Sequence, residues 1–392
     1  MRIPSPTCST NTRDCRLAMN LCFVGLKCYD LLVGSETPRY IGGIERQFVS
    51  LATGMANRGH NVSFVTYDHG QGIHENQDGI KIVPAFGPND GLPGLRFLFP
   101  RMSGILRAIR QTSGEMILQM GASTETFASS LACRLPSRRK RSFIFFVASD
   151  SDCLTDTPLI PHRRERIVYK RGLLNSRIVI VQSDRQRQLM ANSFGIDAEV
   201  AVMPAGSLGE SAVEPNVGTK RERRVLWIGR ISPEKRPELL LEIAKQCPDI
   251  RFDIVGAANE SSQFSLNILE AAREIANVRA HGKVSDTKLR DLFARSSVLC
   301  CTSIIEGFPT TFLEAWSNGV PVVTTFDPDG IIERNALGVV SSDISEIGQS
   351  IHRLTENEPL WQEYSERCVS YFEKTHSEYA AVERIENLLV RK

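Results

Sequence analysis

The chain has 392 residues, of which 42% are apolar and 23% charged; at roughly 150 residues per domain this suits two ordinary globular domains. That balance excludes a disordered chain, a fibrous repeat and a small disulfide-stapled module. The net charge is +2, yet residues 1–200 hold 25 Lys and Arg against 17 Asp and Glu, and the remainder holds 22 against 28. A basic first half is expected to favour an anionic partner, either a phosphate-bearing substrate or a lipid surface.

Residues 1–18 are polar and unpatterned, and a disordered tail is expected there. Met19-Asn-Leu-Cys-Phe-Val-Gly25 opens a buried strand over 21–25. Gly42-Gly43 then starts a helix whose apolar residues Ile44, Phe48, Leu51, Ala52, Met55 and Ala56 share one face. Gly59 stands where a left-handed cap would end that helix. Strands are expected at 62–66, 80–84, 115–119, 143–148, 177–182 and 199–203. The run Phe143-Ile-Phe-Phe-Val-Ala148 is far shorter than the roughly 20 apolar residues of a membrane helix. Residues 206–223, rich in Gly, Pro and Ser, read as an interdomain linker. A second strand rhythm follows at 225–229, 251–255, 278–281, 298–302 and 320–325. The last fifty residues read as helical, and a helix over 376–392 can pack back on the first domain.

Short apolar strands alternating with helices predict an α/β protein with two Rossmann-like doubly wound domains, 19–205 and 224–375, facing a central cleft. Ligands of such folds bind beyond the carboxyl ends of the strands, so candidate residues belong in the loops just after them. The ten cysteines show no zinc spacing: Cys8, Cys15, Cys22 and Cys28 lack C-x2-C pairs, and Cys300-Cys301 read as core. With no signal peptide, reduced thiols and a cytoplasmic location are expected. Nucleic acid is not expected as a partner, because no recognition spacing accompanies the basic residues.

Two constellations carry chemistry. Gly229-Arg-Ile-Ser-Pro-Glu-Lys235-Arg-Pro follows a strand and precedes a helix. Arg230 and Lys235 near a helix start would suit a diphosphate, since unpaired N–H groups and the helix dipole add to their charge; a solvated turn reads the same way. Glu306-Gly-Phe-Pro-Thr-Thr-Phe-Leu-Glu314 follows the strand at 298–302 and enters a helix near Thr310. Its two carboxylates could grip hydroxyls at two levels of an elongated ligand, with free N–H groups at Thr310 and Thr311 between them. The bland alternative has Glu306 as a helix cap and Glu314 in a surface pair. A glycoside hydrolase pair would need both carboxylates to flank one bond, which this spacing disfavours.

These motifs resemble those of glycosyltransferase family 4, retaining sugar-nucleotide-dependent enzymes of the GT-B fold. Glu306 and Glu314 are similar to the family's paired glutamates, and Gly229-Arg230 with Lys235 to its basic pair on the donor diphosphate. Gly42-Gly43 resembles its glycine-rich loop after the first strand, and His281-Gly282-Lys283-Val284 its loop beside the nucleobase. Gly195 to Pro204 resembles the end of its first domain, so the likeness covers about 21 to 380. The resemblance implies that Arg230 and Lys235 neutralise the departing diphosphate, Glu314 binds the ribose and Glu306 the donor sugar. The backbone from Gly307 through Phe308, Pro309, Thr310 and Thr311 would line the sugar and phosphate, with Gly42 and Gly43 approaching from the other domain. It implies a nucleotide diphosphate sugar as donor, a saccharide or lipid-linked saccharide as acceptor, and a role in cell-surface polysaccharide assembly. No cofactor and no metal are expected, since Arg230 and Lys235 would supply the countercharge that a divalent ion otherwise brings.

One position departs from the family pattern. Many members carry a histidine after the strand that here reads Phe143-Ile-Phe-Phe-Val-Ala-Ser-Asp150. Asp150 could orient the donor sugar or help deprotonate the acceptor, or simply begin a turn. Three basic stretches, 96–110, 138–141 and 163–166, suggest peripheral contact with the inner membrane face, although Ile105, Leu106 and Ile109 could equally belong to the core. A sugar-nucleotide epimerase of the same fold, or a non-catalytic sugar-nucleotide-binding protein, would share these motifs.

Overall fold

The computed structural model describes residues 18–35, 39–40, 42–91, 97–205, 221–259, 261–304 and 308–391. The expected tail, almost all of the expected linker, and Glu306 and Gly307 lie outside the described residues.

The first sheet contains β1 (Asn20–Val24), β2 (Asn61–Thr66), β3 (His74–Glu75), β4 (Lys81–Pro84), β5 (Met116–Met120), β6 (Ser142–Phe146), β7 (Ile178–Val181) and β8 (Glu199–Val200). Its order is β3-β4-β2-β1-β5-β6-β7-β8. Every pairing is parallel except the short β3–β4. The second sheet contains β9 (Arg224–Ile228), β10 (Arg251–Val255), β11 (Val278–Gly282), β12 (Val298–Cys301), β13 (Val322–Thr324) and β14 (Gly338–Val340), ordered β11-β10-β9-β12-β13-β14 and parallel throughout. Both sheets reverse their winding beside the opening strand, between β1 and β5 and between β9 and β12. That reversal leaves a crevice at the carboxyl ends where ligands bind.

The central strands of each sheet are buried on both faces, which is why β1, β6, β7 and β12 are continuous apolar runs rather than alternating ones. Phe143, Phe145 and Val147 point into one core of the first domain, and Ile144 and Phe146 into the other. The basic amphipathic segment contributes helix Ser103–Arg110, with Ile105 and Ile109 fully buried in the first of these cores and Leu106 packed against it. Arg107 is tied to the Ala85 carbonyl at 3.0 Å. The last helix, Glu378–Arg391, packs not on the second domain but on helix Gly43–Asn57 of the first, placing Val382, Ile385 and Leu389 in that domain's other core. Gly54 makes room for it, because a Cβ there would lie 2.6 Å from the Val382 side chain. No helix of the described residues is long and apolar enough to cross a membrane.

Candidate functional site

The loops after β9 and β12 meet at the winding reversal of the second sheet, and one hydroxyl joins them. Thr302 Oγ1 accepts from Trp227 Nε1 at 3.0 Å and donates to the Lys235 carbonyl at 2.7 Å. The Thr302 carbonyl accepts from Arg236 Nε at 2.8 Å, and the Ile304 amide donates to the Glu234 carbonyl at 3.0 Å. These bonds hold the Arg230–Lys235 loop against the segment that leads to Phe308. Lys235 ends a short helix, Pro233–Lys235, and is half-buried. Arg230 is largely exposed, 3.6 Å from Glu234. Gly256, after β10, backs this loop at φ +152°, where a Cβ would fall 1.7 Å from the Gly229 carbonyl oxygen; only glycine permits that approach.

Helix Thr310–Ser317 starts after Pro309 with no side-chain cap. Phe308 is buried and its ring packs on Trp316 and His376, with centroids 6.3 and 5.2 Å apart, so only its backbone is available to a ligand. Glu314, one turn into the helix, is buried, and burial pushes its carboxyl up to about 7 against the opposing charge of Arg46. Among the described residues nothing donates a hydrogen bond to it.

The first domain faces this helix with the start of helix Gly43–Asn57. A Cβ on Gly43 would lie 2.7 Å from Thr310 Oγ1, whereas one on Gly42 would meet only the mobile end of Glu45. Gly282, at φ +66°, ends β11, and its carbonyl accepts from the Gly256 amide at 2.9 Å. Lys283 is exposed, and Val284 is partly buried, packed against the core of the second domain. His281 is engaged by the buried Asp253 at 2.5 Å.

Asp150 lies apart from these residues, in the first domain after β6. Arg185 Nε donates to its Oδ2 at 2.8 Å, and its buried Oδ1 has no partner. Asp329 of the second domain accepts from the amides of Asp184 and Arg185 at 2.7 and 3.2 Å. Asp150 is thus linked to the second domain through one helix N-terminus. Asp152, by contrast, is fully buried and accepts from the Ala148, Ser149 and Ala122 amides, a tie between loops rather than a free carboxylate. Beyond the carboxyl ends of β1 and β5 lies a cavity of about 430 Å³ lined by Lys27, Glu45, Tyr67, Gln119 and Glu125 among others.

The structure therefore gathers Arg230, Lys235, the 308–311 backbone and Glu314 on one side and Gly43 on the other. It also brings in residues that the motifs did not signal: Arg46, Asp286, Arg185 and Asp329. Two acidic residues and a histidine, Asp249, His352 and Glu356, cluster on the surface, but Arg223 bonds both carboxylates there, which makes the group an ion-pair network.

Two parallel sheets wound about a shared crevice, with a basic loop and an uncapped helix N-terminus at its edge, define a GT-B architecture. Family models agree: one described as Glycosyltransferase Family 4 matches residues 41–207 and one described as Glycosyl transferases group 1 matches residues 211–375. The chain belongs to glycosyltransferase family 4. Among curated relatives, the phosphatidylinositol N-acetylglucosaminyltransferase GPI3 subunit of Saccharomyces cerevisiae is 24% identical over 308 residues, covering 73% of this chain. The match spans 65% of that protein's length. Sucrose-phosphate synthase from Thermosynechococcus elongatus superposes with a TM-score of 0.71 at 15% identity over 95% of this chain and 98% of that one. HepE from Anabaena, crystallised in complex with UDP and glucose, gives 0.68 at 16% identity over 95% and 100%. At these identities the structural likeness speaks for the fold.

Proposed function

We propose that the protein is a retaining glycosyltransferase that moves a hexosyl or hexosaminyl group from a UDP- or GDP-sugar to a saccharide or lipid-linked saccharide, in cell-surface polysaccharide assembly. The observation that carries this reading is the staple at Thr302, which sets the Arg230–Lys235 loop beside the uncapped start of helix Thr310–Ser317. Leaving-group departure builds negative charge on the diphosphate. Fixed cations and N–H groups stabilise that charge most when it is greatest. In this reading residues 224–375 hold the donor and 19–205 the acceptor, which would enter the cavity beyond β1 and β5. Glu314 accepts from the ribose hydroxyls, and Glu306 and Gly307 keep the roles that the family pattern gives them. Asp150 takes an acceptor or sugar hydroxyl. Support comes from HepE, a neighbour of the same fold crystallised with UDP and glucose, and from a relative named as an N-acetylglucosaminyltransferase.

The protein supplies the countercharge itself, so the reaction proceeds without a divalent metal. Contact with a membrane surface rests on exposed arginines at 138–139 and 163–164, since helix Ser103–Arg110 turns its apolar residues inward. The test is calorimetric titration with UDP, GDP, ADP and their sugar conjugates in excess EDTA. Selective micromolar binding of one diphosphate is expected. No binding by any of them would overturn the enzyme reading, and binding that needs added metal would overturn its metal independence.

A further inference from the structure

The first turn of helix Gly43–Asn57 faces the second domain. Gly43 lies against Thr310, and Arg46, three residues on and therefore on the same helix face, forms a bidentate pair with Asp286 at 3.0 and 2.6 Å. Thr310 and Glu314 are likewise four residues apart on one face of helix Thr310–Ser317. The two helices, from different domains, thus approach at their first turns, with the Glu314 carboxylate within electrostatic reach of both members of the ion pair.

Two features separate this arrangement from an ordinary surface bridge. The Arg46 side chain is only 9% exposed, and a planar fork that meets a carboxylate with two bonds fixes orientation as well as distance. The second feature is Glu314 itself. It is a buried residue whose oxygens no donor among the described residues reaches, yet they are not sealed off from the crevice, so they are open to hydroxyls that a ligand brings.

We propose that Arg46 and Asp286 form an interdomain clasp over the Glu314 end of the donor site, and that Arg46 is a positioning residue which keeps Glu314 ready to accept the donor's ribose hydroxyls when the domains close. The inference rests on the donor-site reading above. It gives the two domains a shared interest in one carboxylate, because the group that readies Glu314 comes from the domain that does not carry it.

The charges around Glu314 give the clasp a signature. Burial pushes its carboxyl up to about 7, Arg46 draws it down and Asp286 pushes it up. His376 and Tyr371 lie on the element packed behind Trp316 of the same helix. Burial draws His376 down to about 4 and pushes Tyr371 up, so both are neutral near pH 7. The ionised carboxylate is the form that accepts hydroxyl donors. Affinity is therefore full above pH 7 and falls as pH drops through it. Arg46→Gln leaves Asp286 alone beside Glu314 and moves the midpoint up. Asp286→Asn leaves Arg46 alone and moves it down. A pair that mattered only as a mechanical tie would move neither.

The experiment measures binding of UDP and of GDP by calorimetry from pH 5.5 to 8.5 for the wild type, Arg46→Gln, Asp286→Asn and the conservative Arg46→Lys. The wild type should bind its diphosphate sugar about tenfold more weakly at pH 6 than at pH 8, so the matching sugar nucleotide is titrated as well. The Gln and Asn variants should shift the midpoint in opposite directions, with Arg46→Lys staying near the wild type. Shifts in the same direction, or weaker binding at an unchanged midpoint, overturn the clasp while leaving the donor site standing. Wild type that binds no diphosphate at any pH removes the donor-site reading, and the clasp with it.

Discussion

Lys235 is held by its backbone rather than by its side chain as far as the Thr302 staple is concerned, because the bond from Thr302 Oγ1 ends on the Lys235 carbonyl. Truncating the side chain leaves that bond and the β9–β12 loop junction in place. Lys235→Ala should therefore lower turnover at least tenfold, within the range of about 10²–10³ typical for removing one group that stabilises developing charge, while the thermal unfolding midpoint stays put. Steady-state kinetics on the donor sugar nucleotide checks this, and undiminished turnover would remove Lys235 from the diphosphate. The same residue-level view separates two aspartates that look alike in sequence. Asp152 has three backbone amides on its carboxylate, so burial raises its proton affinity and the amides oppose that rise. Asp150 is bound on one oxygen only, and its other oxygen is buried without a partner.

At the scale of elements, the last helix carries a buried carboxylate back to the first domain. Glu386 Oε2 receives Arg58 at 2.6 Å and Oε1 lies 3.2 Å from His60 Nε2. Replacing Glu386 with alanine removes the close carboxylate from Arg58 and leaves it the more distant Glu383 and the Tyr379 ring, a loss of about 3 kcal/mol by the cost of breaking a buried pair. Chemical denaturation should report that loss, and a change under about 0.5 kcal/mol, as for an ordinary surface substitution, would mean that the helix is held by Val382, Ile385 and Leu389 alone. The sequence made most of the strands and the main helices legible because buried parallel strands are unbroken apolar runs bounded by turn residues. It gave no sign of β3, whose two residues are too few for any period, or of β14, where Gly338 opens a strand so tightly packed that a Cβ would lie 1.9 Å from the Val322 carbonyl oxygen. In the site, Gly43, Arg230, Lys235 and Glu314 stood out because glycines and charges at strand ends are conspicuous. Arg46, Asp286 and Asp329 are ordinary charges on helices and turns whose side chains meet partners only across the two domains, while Arg185 finds Asp150 within its own.

Those partners set the behaviour of the whole molecule. Besides the crossing of the last helix, the domains meet at the Arg46–Asp286 pair, at the Gly43–Thr310 approach, and where Asp329 receives the first amides of helix Asp184–Phe194. Relative motion is the expectation for a polar interface of this kind. Asp329 neutralises a helix N-terminus as an anion does, so opening exposes partial positive charge that water can satisfy at small cost. Removing both carboxylates, Asp286→Ala with Asp329→Ala, should then free the domains without disturbing either core. Small-angle X-ray scattering should give a larger radius of gyration for the double variant, while its unfolding midpoint stays close to that of the wild type. On the proposed donor-site reading, a saturating nucleoside diphosphate should recover part of the compaction. An unchanged radius of gyration would mean that the last helix alone holds the domains together, and closure would then have to be sought in the turn around His376, where the chain crosses back and its ring meets Phe308.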